Sequence, residues 1–405
     1  MSTDATGQSS VQKQRTRPAS SRSKKKKIAD EARDTQVEVA VFLPGNFGLN
    51  NGRMFIEDTD PKDARGMHLI IIDADGPLLK ERFAPRPGDT TKNLQKWYRS
   101  GRLHLIQLRR NPEEEAKIQK EQTEAQPGHF RRHRKLFGAG GDPEAGRRAV
   151  KSSSAEIAQH MEDKDLIFLW VGGGGGTGTA VAEEVSRLAH EKGIPLEVIL
   201  TTPFEREGTK LAICDALRVK LRENGKVLVL KNSNVPEEAK NQLTSDLYRY
   251  INKAIQPIFR MLKESTQVVG TTSNMDLEDR LTMLEKGTDL YAGSHDVDLK
   301  SVPRGGTSGL PEVDVSEVVK DLLNHPYQDP GIHGAAMILC FHGPWSEKYQ
   351  NDTIIELQRA VHGSRDMFIK SQSVETETEM WVSVQMSGSY TEPGTHKQEG
   401  RLLSI

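Results

Sequence analysis

The chain has 405 residues, enough for roughly two or three packed units, and its 35% apolar residues and 35 glycines exclude a wholly disordered polypeptide. The longest unbroken apolar run, Ala335 to Phe341, is too short to cross a bilayer, no apolar signal-type stretch opens the chain, and two distant cysteines, Cys214 and Cys340, form no Cys-x-x-Cys pair; a transmembrane segment, a disulfide framework and a zinc site of that type are excluded, and a cytoplasmic protein is expected. The net charge of -1 conceals an asymmetry, because residues 1–27 carry eight Lys or Arg against Asp4 alone, a local +7 that leaves -8 for the remainder.

Residues 1–36 combine this charge with Ser, Gln and Thr and offer little to bury, so a disordered basic tail is expected. It would either tether the protein to an anionic membrane surface, nucleic acid or an acidic partner, or serve as a solubilising extension. A strand is predicted over Val37 to Leu43, then a turn-rich stretch from Pro44 to Gly52, then a strand over His68 to Ile72 that ends at Asp73-Ala74-Asp75-Gly76. Residues 80–135 hold 15 Lys and Arg against 7 Asp and Glu, with one apolar core at Leu103 to Leu108. They read as a surface insertion whose basic end, His129 to Lys135, is a solvated loop or a contact for a polyanion.

Leu166 to Val171, Thr179 to Lys192 and Leu196 to Leu200 make a strand, helix and strand, the helix stopping at Gly193 and Pro195. Val227 to Leu230 is a further strand. A long helix is predicted from Pro236 with the stripe Leu243, Leu247, Ile251, Ile255, Ile258 and Leu262, interrupted at Pro257. Beyond Gly270 a smaller unit is expected: a polar segment at about 293–312, a helix at 314–324, and strands at Ala335 to Phe341 and Met380 to Met386 around a helix at 352–362.

Gly172-Gly173-Gly174-Gly175-Gly176-Thr177-Gly178-Thr179 lies between the strand 166–171 and the helix that follows. Glycines there let successive N–H groups face one anion while the helix presents its positive end, so phosphate binding is expected. A Walker loop needs Lys after the last Gly, where this chain has Thr179. Gly173, Gly175 and Gly178 have the dinucleotide spacing, but the next strand ends in Thr201-Thr202-Pro203-Phe204, without the acidic residue that holds a ribose.

Gly174 to Ala180 resembles the signature loop of the tubulin/FtsZ GTPases, Gly-Gly-Gly-Thr-Gly-Thr-Gly. Four further segments resemble the family in order: Gly138 to Arg147, like the loop that closes over the terminal phosphate; Thr201 to Gly208, like the segment whose Glu, here Glu207, touches the ribose; Asn232, at the place of a guanine-contacting Asn; and Asn274-Met275-Asp276-Leu277-Glu278-Asp279, like Asn-x-Asp-x-x-Asp. Asn274 is the predicted N-cap of a helix on which Asp276 and Asp279 share a face.

The resemblance implies a tubulin/FtsZ architecture of class α/β: a Rossmann-like nucleotide-binding domain over 37–235, a central helix over 236–269, a smaller α+β domain over 270–390 and a short tail, 391–405. It implies a nucleotide site of Gly45, Gly48, Asn50, Asn51, Asp75, Ala139, Gly140, Gly141, Gly174, Gly175, Gly176, Thr177, Gly178, Thr179, Glu207, Asn232 and Asn252 for GTP or GDP, with Mg²⁺ on the phosphates. It further implies catalysis by Asn274, Asp276 and Asp279 acting on the nucleotide of the next subunit in a head-to-tail homopolymer, in cell division or another filament task. Leu211 and Lys253 stand where the family has a nucleotide-contacting Arg and a guanine-reading Asp. Two alternatives stay open: a nucleotide-binding filament regulator without hydrolysis, and a dinucleotide-dependent oxidoreductase.

Overall fold

The computed structural model describes residues 37–84, 92–109, 111, 113, 116–117, 120, 139, 141–235, 255, 257–260, 263, 275–305, 309–325, 327–328, 332–361 and 367–390. The basic tail, the basic end of the insertion, the Leu243, Leu247, Ile251 and Leu262 positions of the helical stripe and residues 391–405 lie outside them, as do Gly140, Asn252 and Asn274. In chain order the elements are β1 (Val39–Pro44), α1 (Gly45–Asp58), β2 (Met67–Asp73), α2 (Gly76–Phe83), α3 (Lys92–Ser100), β3 (Leu103–Gln107), α4 (Pro143–Lys151), α5 (Ser154–Gln159), β4 (Leu166–Gly172), α6 (Gly176–Lys192), β5 (Leu196–Thr202), α7 (Gly208–Asn224) and β6 (Lys226–Lys231). They continue with α8 (Leu277–Glu285), β7 (Asp289–Asp296), the short pair β8 (Arg304–Gly305) and β9 (Leu310–Pro311), α9 (Val315–Leu323), β10 (Ile332–His342), α10 (Glu347–Ala360), β11 (Phe368–Val374) and β12 (Trp381–Tyr390).

Ten strands form one sheet in the order β11-β10-β12-β7-β6-β5-β4-β1-β2-β3. From β3 to β6 every pairing is parallel, and the chain steps outward in both directions from the β1/β4 pair. Side chains of β1 alternate as the pleat requires: Val39, Val41 and Leu43 join the apolar cluster that contains α1 and Phe259, whereas Ala40 and Phe42 join the cluster under α4 and α6. Trp170 stacks on Phe259 at 3.6 Å between ring centroids, which anchors the helical residues around 258 to β4. Beyond β6 the sheet is mixed: β6/β7 and β10/β11 pair parallel, β7/β12 and β12/β10 antiparallel. β7 meets β6 at Val227↔Asp289 and Leu228↔Leu290, runs antiparallel to β12 from Asp289 to Asp296, and shares with α9 and α10 a third apolar cluster.

Four expectations are corrected by this arrangement. The turn-rich stretch after Pro44 is helix α1, which leaves the strand at once because Gly48 packs on it: a Cβ there would lie 2.1 Å from the Leu43 carbonyl carbon. The surface insertion begins later than residue 80, since Phe83, Leu94 and Trp97 are fully buried and β3 completes the sheet edge beside β2. The polar segment begins after Asp296, because Gly293 and Ser294 belong to β7, where pairing with β12 supplies hydrogen bonds that its composition does not advertise. Helix α7 had no counterpart in the sequence reading; it buries only Cys214, Leu217 and Leu221, a stripe too thin to stand out among charged residues.

Candidate functional site

The carboxyl ends of β1, β2, β4, β5 and β6 open on one cavity of about 540 Å³, beside the point where the strand order reverses. Open α/β sheets place ligands at such a point, because the loops from neighbouring strands diverge there and leave a crevice. β1 contributes Pro44 and Gly45, β2 contributes Asp73 and Asp75, β4 leads into Gly172, Gly173, Gly175 and Gly176, β5 ends at Thr201 and Pro203, and β6 ends at Asn232.

The glycine stretch forms one wall. Helix α6 starts at Gly176, three residues before the predicted Thr179, with Gly175 as its N-cap, so the N–H groups of its first turn have no partner within the helix, and Gly175, Gly176, Thr177 and Gly178 line the cavity. Gly174 takes φ +82°, and a Cβ on it would meet the Lys210 carbonyl oxygen at 2.5 Å, so α7 presses the loop from behind. Ala139 and Gly141 also line the cavity, beside the glycine wall: a Cβ on Gly176 would lie 2.7 Å from Ala139 Cβ.

Of the predicted nucleotide residues, Gly45, Asn50, Asp75, Ala139, Gly141, Gly175, Gly176, Thr177, Gly178, Glu207 and Asn232 line this cavity. Gly48, Asn51, Gly174 and Thr179 do not: Gly48 faces Leu43, Asn51 donates Nδ2–H to the Phe47 carbonyl at 3.0 Å, and Thr179 is buried within α6. Phe47, Asp73 and Lys210 line it and were missed; no spacing marks them, and only the sheet order brings them to one place.

Asn232 is 4% exposed, and its Oδ1 has no hydrogen-bond partner. An orphaned buried acceptor on a cavity wall is costly unless a donor arrives. Asp73 Oδ1 accepts from the Asp75 N–H at 2.7 Å, and burial raises the Asp73 pKa. Asp75 also accepts from the Leu78 N–H at 3.1 Å, capping α2. Glu207 holds the Phe204 N–H at 3.1 Å and the Lys210 ammonium at 2.6 Å. Burial pushes Glu207 upward, but these two donors together hold its pKa below the usual range.

Asp276 and Asp279 lie on α8 and outside this cavity. The N-cap is Asp276 rather than the predicted Asn274. Its backbone is extended, its carboxylate accepts from the Asp279 N–H, and Asp279 returns a bond to the Asp276 N–H, a reciprocal capping box. Asp279 also pairs with Lys370 at 3.0 Å. The next residue, Arg280, is fully buried and holds Glu197 at 2.5 Å and Gln385 at 2.7 Å, which fixes α8 against β5 and β12.

Fold and loop together define an α/β protein with a glycine-rich anion cradle at the head of a helix. The family description "Tubulin/FtsZ family, GTPase domain" matches residues 104–237. "Cell division protein FtsZ 2" of Halobacterium salinarum is 29% identical over 201 residues, 49% of this chain and 48% of that protein. The protein of the same name from Methanocaldococcus jannaschii is 29% identical over 211 residues, 51% and 53% of the two chains. The matched region thus spans about half the length of these curated relatives. Among solved structures, the empty FtsZ dimer of M. jannaschii superposes with a TM-score of 0.66 at 19% identity, covering 90% of this chain and 92% of that one. CetZ2 from Haloferax volcanii, described as a "GTPgS bound protofilament", gives 0.63 at 13% identity, covering 88% and 95%. The chain is similar to the tubulin/FtsZ family over residues 104–237, and its fold is that of the FtsZ and CetZ structures. Among its described residues no helix is long and apolar enough to cross a membrane.

Proposed function

We propose that the protein binds GTP or GDP in the cavity at the carboxyl ends of β1, β2, β4, β5 and β6, assembles head to tail with copies of itself, and hydrolyses GTP within the filament. The observation that carries the reading is the cavity itself, lined by Gly175 to Thr177 at the head of α6 and by Asn232, whose buried Oδ1 has no hydrogen-bond partner. The glycine wall suits phosphates; Asn232 suits a donor on a base. Asp73 and Asp75 provide the one or two carboxylates that Mg²⁺ takes beside phosphate oxygens, and Mg²⁺ when bound neutralises phosphate charge.

Phosphoryl transfer asks mainly for positioning and charge neutralisation. The chain's own cavity offers no carboxylate from α8 to the reacting phosphate, because Asp276 and Asp279 are elsewhere. In the proposed filament the adjacent copy brings these two residues, with Asn274, over the open nucleotide, where their oxygens accept hydrogen bonds from the attacking water. Cell division is the process named for the curated relatives, and it is the proposed cellular task, in the cytoplasm. The engagement of Asp276 and Asp279 in a capping box and a Lys370 pair supports a second reading, a filament regulator that binds nucleotide without hydrolysing it.

Sedimentation of the purified chain with GTP, with GDP and without nucleotide tests the assembly. Pelletable polymer with GTP and little with GDP is expected. Equal pellets in all three conditions would defeat nucleotide-dependent assembly.

A further inference from the structure

The charges on the cavity wall are unbalanced for a polyphosphate. Among the described lining residues the carboxylates are Asp73, Asp75 and Glu207, and the one cation is Lys210. Lys210 sits in the first turn of α7, directly behind the glycine loop, where a Cβ on Gly174 would touch Lys210 Cβ at 2.6 Å. Its stem therefore starts against the loop whose Gly173, Gly175 and Gly176 line the cavity. Its ammonium is held by Glu207 Oε1 at 2.6 Å, in a pair whose side chains are 52% and 20% exposed. Ion pairs this open to water are weak and easily exchanged, whereas an ammonium against a phosphate oxygen makes a charge-assisted bond. The other Glu207 oxygen stays fixed by the Phe204 N–H, so the carboxylate keeps its place when the lysine leaves.

We infer that Lys210 is the phosphate-contacting cation of this cavity, and that it exchanges Glu207 for the β-phosphate of an entering nucleoside di- or triphosphate, which frees Glu207 Oε1 to accept a sugar hydroxyl. The assignment rests on the nucleotide reading above. It makes the Lys210–Glu207 pair a closed latch in the empty protein, and it makes affinity depend on the second phosphate more than on the base.

The test is calorimetric titration of the full chain and its Lys210→Gln and Lys210→Arg variants with GMP and GDP at several KCl concentrations. Lys210→Gln should weaken GDP at least ~10-fold, change GMP less than ~3-fold and flatten the dependence of GDP affinity on salt, and Lys210→Arg should restore most of the loss. Should Lys210→Gln melt early, Lys210→Met, which keeps the stem against Gly174, reads the same difference. Unchanged GDP affinity in Lys210→Gln, or an equal loss for GMP and GDP, would overturn the assignment and leave the nucleotide reading standing. A wild-type chain that binds neither nucleotide would overturn both.

Discussion

Gly175 and Gly176 are neighbours in sequence with different surroundings, and that difference separates ligand binding from folding. A Cβ on Gly175 meets nothing within 4 Å, whereas one on Gly176 collides with Ala139 and with the Asp142 backbone. Gly175→Val should therefore leave the melting temperature nearly unchanged while obstructing the anion space, and GTP binding by equilibrium dialysis should fall beyond detection. Gly176→Val should lose binding too, with a lower melting temperature as the 139–142 loop is displaced. GTP binding by Gly175→Val at the parent's affinity would remove the glycine wall from the site. The glycine loop was legible in the sequence because the cavity wall it forms is made by backbone, which a glycine run between a strand and a helix marks. Asp73 and Lys210 were not legible, since their positions depend on which strands lie side by side. Asp279 had a visible spacing, but the spacing predicts a cap as well as a catalyst, and the structure contains the cap. Asp276→Ala should therefore cost about 0.5–2 kcal/mol of stability as an N-cap, measured by urea unfolding.

At the scale of elements, the first strands of the parallel sheet gather histidines at their amino ends. His68 on β2 lies 3.4 Å from His104 on β3 and 2.9 Å from the Glu38 carboxylate, and His104 packs on His160 after α5 at 4.4 Å between centroids. Burial, then Lys164 and Arg102 for His68, and burial, then His160 and His68 for His104, push both imidazoles down to about 4. Both are neutral in the folded protein near neutrality and take protons more readily once unfolded. The stability they contribute is present above about pH 6.5 and is lost as pH falls toward 4. Glu38, raised mainly by burial, acts in the opposite sense at the lower end of this window. Melting curves should show a fall in melting temperature across this window, and the fall should be smaller in His104→Gln. Equal pH dependence in the two proteins would remove the cluster as its cause. The parallel strands were legible as elements because they are apolar on both faces. β7 and β11 were not: they carry Gly, Ser, Lys and Gln, and pairing rather than composition makes them strands.

Across the whole molecule, the sheet joins the half that holds the cavity to the C-terminal half without a break, and Arg280 pins α8 across the join. Its guanidinium is fully buried between Glu197 on β5 and Gln385 on β12, residues far apart in the chain, and lies over the Phe168 ring at 5.2 Å. Arg280→Ala would leave Glu197 charged and buried without its partner, so about 3–5 kcal/mol of stability should be lost in denaturant unfolding. A loss below about 1 kcal/mol would show that the pair does not hold the halves together. Sequence order suggested a separate unit after residue 270, because the character of the chain changes there to a polar Gly/Pro/Ser segment followed by short elements. The continuity of the sheet was not legible, since it rests on two pairings between β6 and β7, strands far apart in the chain.

The central claim is that hydrolysis belongs to a site made from two copies. GTP turnover per subunit, measured against protein concentration in wild type and in Asp279→Ala, tests it most directly. In wild type, turnover should be negligible at low concentration and rise together with pelletable polymer; in Asp279→Ala the polymer should form while turnover stays at least ~100-fold lower. Turnover that is independent of concentration, or equal in the two proteins where both assemble, would contradict it.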